Sequence, residues 1–332
     1  MRKRQEQWTL GRALLIASVW GVGALLAVVC LPMARRPFAN ETAGKPPSYA
    51  EAVGEIRKLI AGTSSKIRPQ CAIQLLDHGH PTEQVFVLLH GLSNCPAQFT
   101  KLGRLLFERG HNVVIPLVPY HGEENRLATD WGRLSAEDML EAGNQAVDLA
   151  RGLGTKVTAA GLSISGATVA WMAQNRSDVS RAVLLAPFLA PAGIPRWAWT
   201  PLERLLLRLP NMFFWWDSTK RENLEGPPYA YPRFPTRVIG ETMLLGRRVL
   251  EESRSQAPRC PSILVVTTAS DTAANNGMTA ELVANWRGLR REGIETFEFA
   301  AADEVPHDFV DPNQPNQKTA LVYPKLIELL EE

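Results

Sequence analysis

The sequence predicts an α/β fold: a mostly parallel central sheet with helices on both faces. From about Cys71 onward, short apolar runs alternate with longer amphipathic stretches, the pattern of strands joined by crossover helices. Several runs, such as VFVLL at 85–89 and ILVV at 263–266, are apolar without interruption, as strands are when covered on both faces. A chain of 332 residues, 45% of them hydrophobic, has the material for one large core.

Taken in order, the chain opens with residues 13–33, which are 21 residues without a charge, preceded by Arg2, Lys3, Arg4 and Arg12 and followed by Arg35 and Arg36. That length and flank predict a transmembrane anchor or signal segment over 1–34, with the remaining chain outside the cytoplasm. The expected partner of this segment is the membrane, and the alternative is secretion after cleavage. Residues 35–48 hold three prolines and a glycine and read as a linker. The folded domain then runs over 49–332, beginning with helical spacing at 49–63. Strands are expected at 72–76, 85–89, 112–117, 156–160, 181–185, 262–268 and 296–300. Helices are expected at 97–109, 135–153, 166–174, 279–292 and 319–330. The alternation stops at about 187–258, a proline- and tryptophan-rich stretch without a clear strand, which reads as an insertion over one end of the sheet. Within it, residues 204–209 mix basic and leucine residues and fit an amphipathic lid helix.

Lysine and arginine number 36 against 34 acidic residues, a balance that asks for neither nucleic acid nor an acidic partner. The four cysteines, Cys30, Cys71, Cys95 and Cys260, have no metal-binding spacing. Free buried thiols are the simplest expectation. A disulfide among Cys71, Cys95 and Cys260 stays open, without a pairing.

The chemistry concentrates at 155–166. A β-rich run, TKVTAAG, ends at Gly161, turns on Ser163 and enters the helical sequence ISGATVAWMA. A sharp strand-to-helix turn lifts a hydroxyl clear of the backbone, at the positive end of a helix. It also leaves the next N–H free to stabilise an oxyanion. Small neighbours at −2 and +2 let the helix pack against adjacent strands. Ser163 is the preferred nucleophile, because Gly161 then occupies −2. Ser165 gives a competing register with Ser163 and Ala167 as its small flanks.

This segment resembles the G-x-S-x-G elbow of the α/β-hydrolase superfamily, in its G-L-S-x-G-G form. Gly161, Leu162, Ser163 and Gly166 match, and Ser165 stands where the pattern has glycine. Val85–Gly91, ending in His90-Gly91, resembles the family's oxyanion-loop strand, and Tyr120-His121-Gly122 its G-H-G turn. The resemblance covers most of residues 70–330. It implies the α/β-hydrolase fold with a helical cap inserted at about 187–258. It also implies an oxyanion hole formed by the backbone N–H groups of Leu92 and Ile164, with His90 and His121 structural. His307, in EVPHDF, is the one histidine of six that follows Ser163, and the family order of serine, acid, histidine makes it the base. Asp271 is the expected acid, with Asp303 and Asp308 as rivals.

The implied chemistry is hydrolysis of a small-molecule carboxylic ester, including lipid-like acyl esters, through an acyl-enzyme. No cofactor or metal is required. Within the superfamily the chain is similar to monoglyceride-lipase and carboxylesterase-like members. Trp197, Trp199, Phe213, Phe214, Trp215 and Trp216 are candidates for an acyl pocket. A serine aminopeptidase of the same fold is the alternative, with Glu203, Glu222 and Glu225 as candidates to hold a free amino terminus. A catalytically silent binding protein is a third reading.

Overall fold

The computed structural model describes Phe38 and residues 44–219 and 226–331. Nine strands and eight α-helices are formed by these residues. The main sheet has seven strands: β1 (Gln74–Leu76), β2 (Thr82–Leu89), β3 (Asn112–Ile115), β4 (Gly154–Leu162), β5 (Arg181–Leu185), β8 (Ser262–Thr268) and β9 (Ile294–Phe299). Their spatial order is β1-β3-β2-β4-β5-β8-β9. Every neighbour pair is parallel except β1 with β3, so β1 is an antiparallel edge.

The alternation of side chains along β2 shows why its sequence is apolar throughout. Val85, Val87 and Leu89 point into one core, while Phe86 and Leu88 point into the other. The first core packs α1 (Tyr49–Ala61), α3 (Ala136–Ala150) and α4 (Ile164–Asn175) on the sheet. The second packs α2 (Thr100–Phe107) and α8 (Thr319–Glu331) on the opposite face. The α7 helix (Asn276–Leu289) joins the first core through Met278, Leu282 and Trp286. Ser48 and Ser135 start α1 and α3 through reciprocal capping boxes with Glu51 and Asp138. All twelve residues of α4 are buried, the polar Ser165, Thr168, Gln174 and Asn175 together with the apolar ones, so the helix is covered on every side.

Between β5 and β8 the chain forms α5 (Arg196–Arg208), a short antiparallel pair of β6 (Phe213–Trp215) and β7 (Arg233–Pro235), and α6 (Thr236–Glu252). The sequence predicts no strand here and only a short helix at 204–209. Three-residue strands are too short to show an alternation, and α5 starts eight residues earlier than expected because Trp199 and Glu203 are also buried on its inner face. The missed α6 contains Gly240 and Gly246, which weaken helix propensity. Both are close-approach positions: a Cβ on Gly246 would lie 2.9 Å from the Leu189 backbone, and one on Gly240 would lie 3.0 Å from Leu206.

Two further expectations are corrected. The simplest reading of the cysteines was free thiols, yet Cys71 and Cys95 form a disulfide, with both residues fully buried. Cys260 is free and buried, and burial pushes its thiol pKa up to about 12. The second is membrane anchoring with the domain outside the cytoplasm. Among the described residues no helix is long and apolar enough to cross a membrane. Residues 1–34, on which that expectation rested, and most of 35–43 lie outside the described residues.

Candidate active site

The carboxyl ends of the parallel strands bring the sequence-predicted residues together. Ser163 follows β4, Asp271 lies three residues past β8, and His307 lies in the loop after β9. Loop residues at this end of a parallel sheet converge from separate strands, which is why distant sequence positions meet there.

Ser163 sits at φ 59° and ψ −116°, a left-handed conformation that only a tight turn imposes on a serine. Two glycines make the turn possible. A Cβ on Gly161 would collide with the Ser165 carbonyl, and one on Gly166 would come within 2.8 Å of Pro187 Cα. The turn is further held by Ser163 N–H donating to the Leu185 carbonyl at 3.0 Å and by Phe188 N–H donating to the Ser163 carbonyl at 2.9 Å. Ser165, in the competing register, is occupied elsewhere: its hydroxyl donates to the His90 carbonyl at 2.5 Å and is buried. The serine that replaces glycine in the motif thus ties the helix to the end of β2.

The Ser163 hydroxyl lies 2.9 Å from His307 Nε2, and His307 Nδ1 lies 2.7 Å from Asp271 Oδ2. The Asp271 carboxylate is fully buried, and its other oxygen accepts the N–H groups of Ala273 and Ala274 at 2.8 and 2.9 Å. Burial alone would raise its pKa. The hydrogen bond and charge of His307, with the two backbone donors, outweigh that and hold the carboxyl below its ordinary value. The Thr268 hydroxyl donates to the Val305 carbonyl at 2.8 Å and fixes the loop that carries His307 to the end of β8. Asp308 makes no hydrogen bond to the imidazole and accepts hydrogen bonds from Asn94 and Gln314 instead. Asp303 lies in a 3-10 turn over Ala301–Asp303.

Leu92 and Ile164 both line the cavity in front of Ser163. Among the described residues, neither backbone N–H has a protein acceptor. For Ile164 this follows from its place as the first residue of α4, where the helix leaves its N–H unpaired. The two upstream histidines are supports beneath this loop. His90 Nδ1–H donates to the Gly91 carbonyl at 3.0 Å, and Nε2 accepts from Val118 N–H at 3.0 Å, which fixes a neutral tautomer. Burial, with a smaller contribution from His121, pushes the His90 pKa down to about 3. His121 contacts the Pro119 and Leu92 carbonyls at 2.9 and 2.5 Å. Burial lowers its pKa against the pull of those carbonyls.

The cavity has a volume of about 680 Å³. Phe188, Trp215, Trp216, Tyr231 and Ile239 form an apolar wall, while Asn94, Gln98, Asp308 and Gln314 form a polar one. Of the aromatic candidates, only Trp215 and Trp216 reach it. Trp199 is buried with the Arg196 guanidinium 5.1 Å from its ring, and Trp197 is 80% exposed. Glu203 does not face the cavity: its carboxylate is buried in an ion pair with Arg247 at 2.6 Å. Glu222 and Glu225 lie outside the described residues. Among the described residues no three His, Cys, Asp or Glu side chains converge as a metal site. Sequence reasoning missed Asn94, Gln98 and Asp311. None belongs to a motif, and their only signal was position beside Gly91 or His307.

Residues 86–320 match the alpha/beta hydrolase family, and the chain belongs to it. In fold it resembles monoglyceride lipases and esterases. The monoacylglycerol lipase of Paleococcus ferrophilus superposes with a TM-score of 0.60 at 19% identity, covering 78% of this chain and 97% of that one. One of LipS and LipT, two metagenome-derived lipolytic enzymes, superposes with a TM-score of 0.58 at 17% identity, covering 80% and 99%. A soluble variant of monoglyceride lipase from Saccharomyces cerevisiae gives a TM-score of 0.55 at 11% identity, covering 78% and 90%. Comparison with curated proteins finds no match.

Proposed function

We propose that this chain is a serine hydrolase of carboxylic esters, with Ser163 as nucleophile, His307 as general base and Asp271 as the acid that orients it. The observation that carries the reading is the unbroken chain of hydrogen bonds from the Ser163 hydroxyl through His307 to Asp271, opening onto the cavity. His307 Nε2 takes the hydroxyl proton as Ser163 Oγ attacks the ester carbonyl carbon. The carbonyl electron pair moves to oxygen, where the N–H groups of Leu92 and Ile164 stabilise it. Each such donor contributes about 3–4 kcal/mol to the transition state. His307 returns the proton to the departing alkoxide, leaving an acyl-enzyme. Water, deprotonated by the same imidazole, then releases the acid.

Residues 187–258 act as a cap in this reading. Its aromatic side chains receive the acyl chain, and a lipid-like acyl group suits the wall of Phe188, Trp215, Trp216 and Ile239. Wild-type protein is expected to hydrolyse p-nitrophenyl butyrate and to be labelled by a fluorophosphonate. Ser163→Ala abolishes both. A fully labelled Ser163→Ala variant refutes the nucleophile, and a wild type that neither turns over esters nor is labelled refutes the reading as a whole.

A further inference from the structure

Two carboxyl groups near the site, one half-buried at the cavity and one buried, have no role in the chemistry above. Asp308 and Asp311 lie just after His307, and both accept hydrogen bonds from one donor, Asn94 Nδ2, at 3.3 and 3.1 Å. Asn94 is on the loop that carries Leu92, is 2% exposed, and is fixed in turn by Cys95 N–H donating to its Oδ1 at 3.0 Å. Gln98 makes a second link. Its Oε1 accepts the Gly91 N–H at 2.8 Å, and its side chain acts on the Asp308 carboxyl, lining the cavity with it. The Tyr229 hydroxyl donates to Asp311 Oδ1 at 2.8 Å, and Asn313 N–H donates to the same oxygen at 2.9 Å. Tyr231 N–H donates to the Ser93 carbonyl at 2.7 Å. Three segments therefore meet at two carboxyl groups: the loop 91–98, the loop that holds His307, and the chain around Tyr229.

Resting on the ester-hydrolase reading, we infer that Asp308 and Asp311 are positioning residues that fix the Leu92 N–H for the oxyanion by holding Asn94 and Gln98. Two carboxyl groups are an expensive means of packing, and a neutral pair would fill the same space. Their value is as acceptors: Asn94 Nδ2, Gln314 Nε2, the Tyr229 hydroxyl and the Asn313 N–H all donate inward. The titratable groups facing the pair are His307, Tyr229 and Tyr323. Burial raises the pKa of both acids, with Asp311 pushed up to about 6 by burial and by the charge of Asp308. The pair thus holds a proton into weakly acidic solution, which limits repulsion between the two carboxylates.

Asp311→Asn tests the inference with little change of shape. Whichever way the new amide turns, its NH2 meets a donor, either Asn94 Nδ2 or the Asn313 N–H. The full-length chain is assayed for kcat and KM on p-nitrophenyl butyrate, for thermal stability, and for inhibition by an alkyl trifluoromethyl ketone. Ser163 Oγ adds to the ketone carbon, the hydroxyl proton passes to His307, and the carbonyl electron pair becomes an oxyanion, so the adduct needs the same N–H donors. The expected result is a kcat lower by about 10- to 100-fold, as for a donor displaced by a fraction of an ångström to one ångström. KM stays within about threefold, and the ketone Ki rises in step with the loss of kcat. Asn94→Ala gives the same pattern, and combining it with Asp311→Asn adds no further loss. Unchanged kcat, a loss confined to KM, or losses that multiply in the double variant would overturn the inference. If Asp311→Asn does not fold, Asn94→Ala alone decides it: a normal kcat and Ki refute it. An inactive, unlabelled wild type instead removes the ester-hydrolase reading, and this inference with it.

Discussion

Replacing Ser163 by glycine and by alanine separates two costs that the wild-type site combines. At φ 59° and ψ −116° a residue with a Cβ is strained by roughly 1–3 kcal/mol. Alanine keeps that strain and loses the 2.9 Å hydrogen bond to His307, a loss of about 1 kcal/mol. Glycine loses the same bond but releases the strain, offset by roughly 0.5–1 kcal/mol for its freer unfolded chain. Ser163→Gly should therefore be more stable than Ser163→Ala by about 1 kcal/mol and close to wild type. In a domain of this size that separates their melting temperatures by about 2–4 °C. Thermal and urea unfolding of the purified full-length variants measure the difference, with both variants inactive on p-nitrophenyl esters. An alanine variant as stable as the glycine variant, or more so, would show that the turn stores no strain and that the backbone argument for this serine is wrong.

Asp271→Asn should lower kcat by about four orders of magnitude with little change in KM, because the amide no longer fixes the imidazole tautomer; a drop of less than tenfold would move the acid's role to another residue. Ser165→Ala should keep fluorophosphonate labelling and most activity, since its hydroxyl is spent on the His90 carbonyl; loss of labelling would reopen the other register. Between about pH 4 and 6, His90 and Asp311 should make opposed contributions to stability. His90 stays neutral when folded, with its pKa lowered to about 3 from 6.5, so its contribution is present above pH 6.5 and lost as pH falls. Asp311 has its pKa raised from 3.8 to about 6, so its contribution is present below pH 3.8 and lost as pH rises through 6. Denaturant unfolding of Asp311→Asn should show a steeper loss of stability on acidification than wild type, and an unchanged profile would refute the pairing.

The sheet was legible in the sequence because burial on both faces leaves an uninterrupted apolar run, and β2, β5 and β8 have one. Strand ends drifted by one to three residues where polar ends such as Thr82-Glu83-Gln84 still pair. The region between β5 and β8 was not legible, because α6 takes its glycines from contacts with Leu189 and Leu206 that no local pattern records. The Cys71–Cys95 bond was hidden for a similar reason: separation along the chain carries no information about two loops folding together. At the site, Ser163 stood out through its turn chemistry and His307 through its order in the chain. Adjacency to His307 made Asp308 a rival to Asp271, yet its carboxyl accepts from Asn94 and Gln314.

The complete burial of α4 also bears on where this molecule can breathe. Amide hydrogens in an element with no solvent-facing side exchange only through the largest openings of the structure. The last six residues of β4 are buried as well, so Ser163 joins two segments that should be among the slowest to exchange. A ligand therefore gains little by loosening the serine's own surroundings. Protection gained on binding should appear around Trp215 and Trp216, where a partly buried and a half-exposed ring give the backbone less cover.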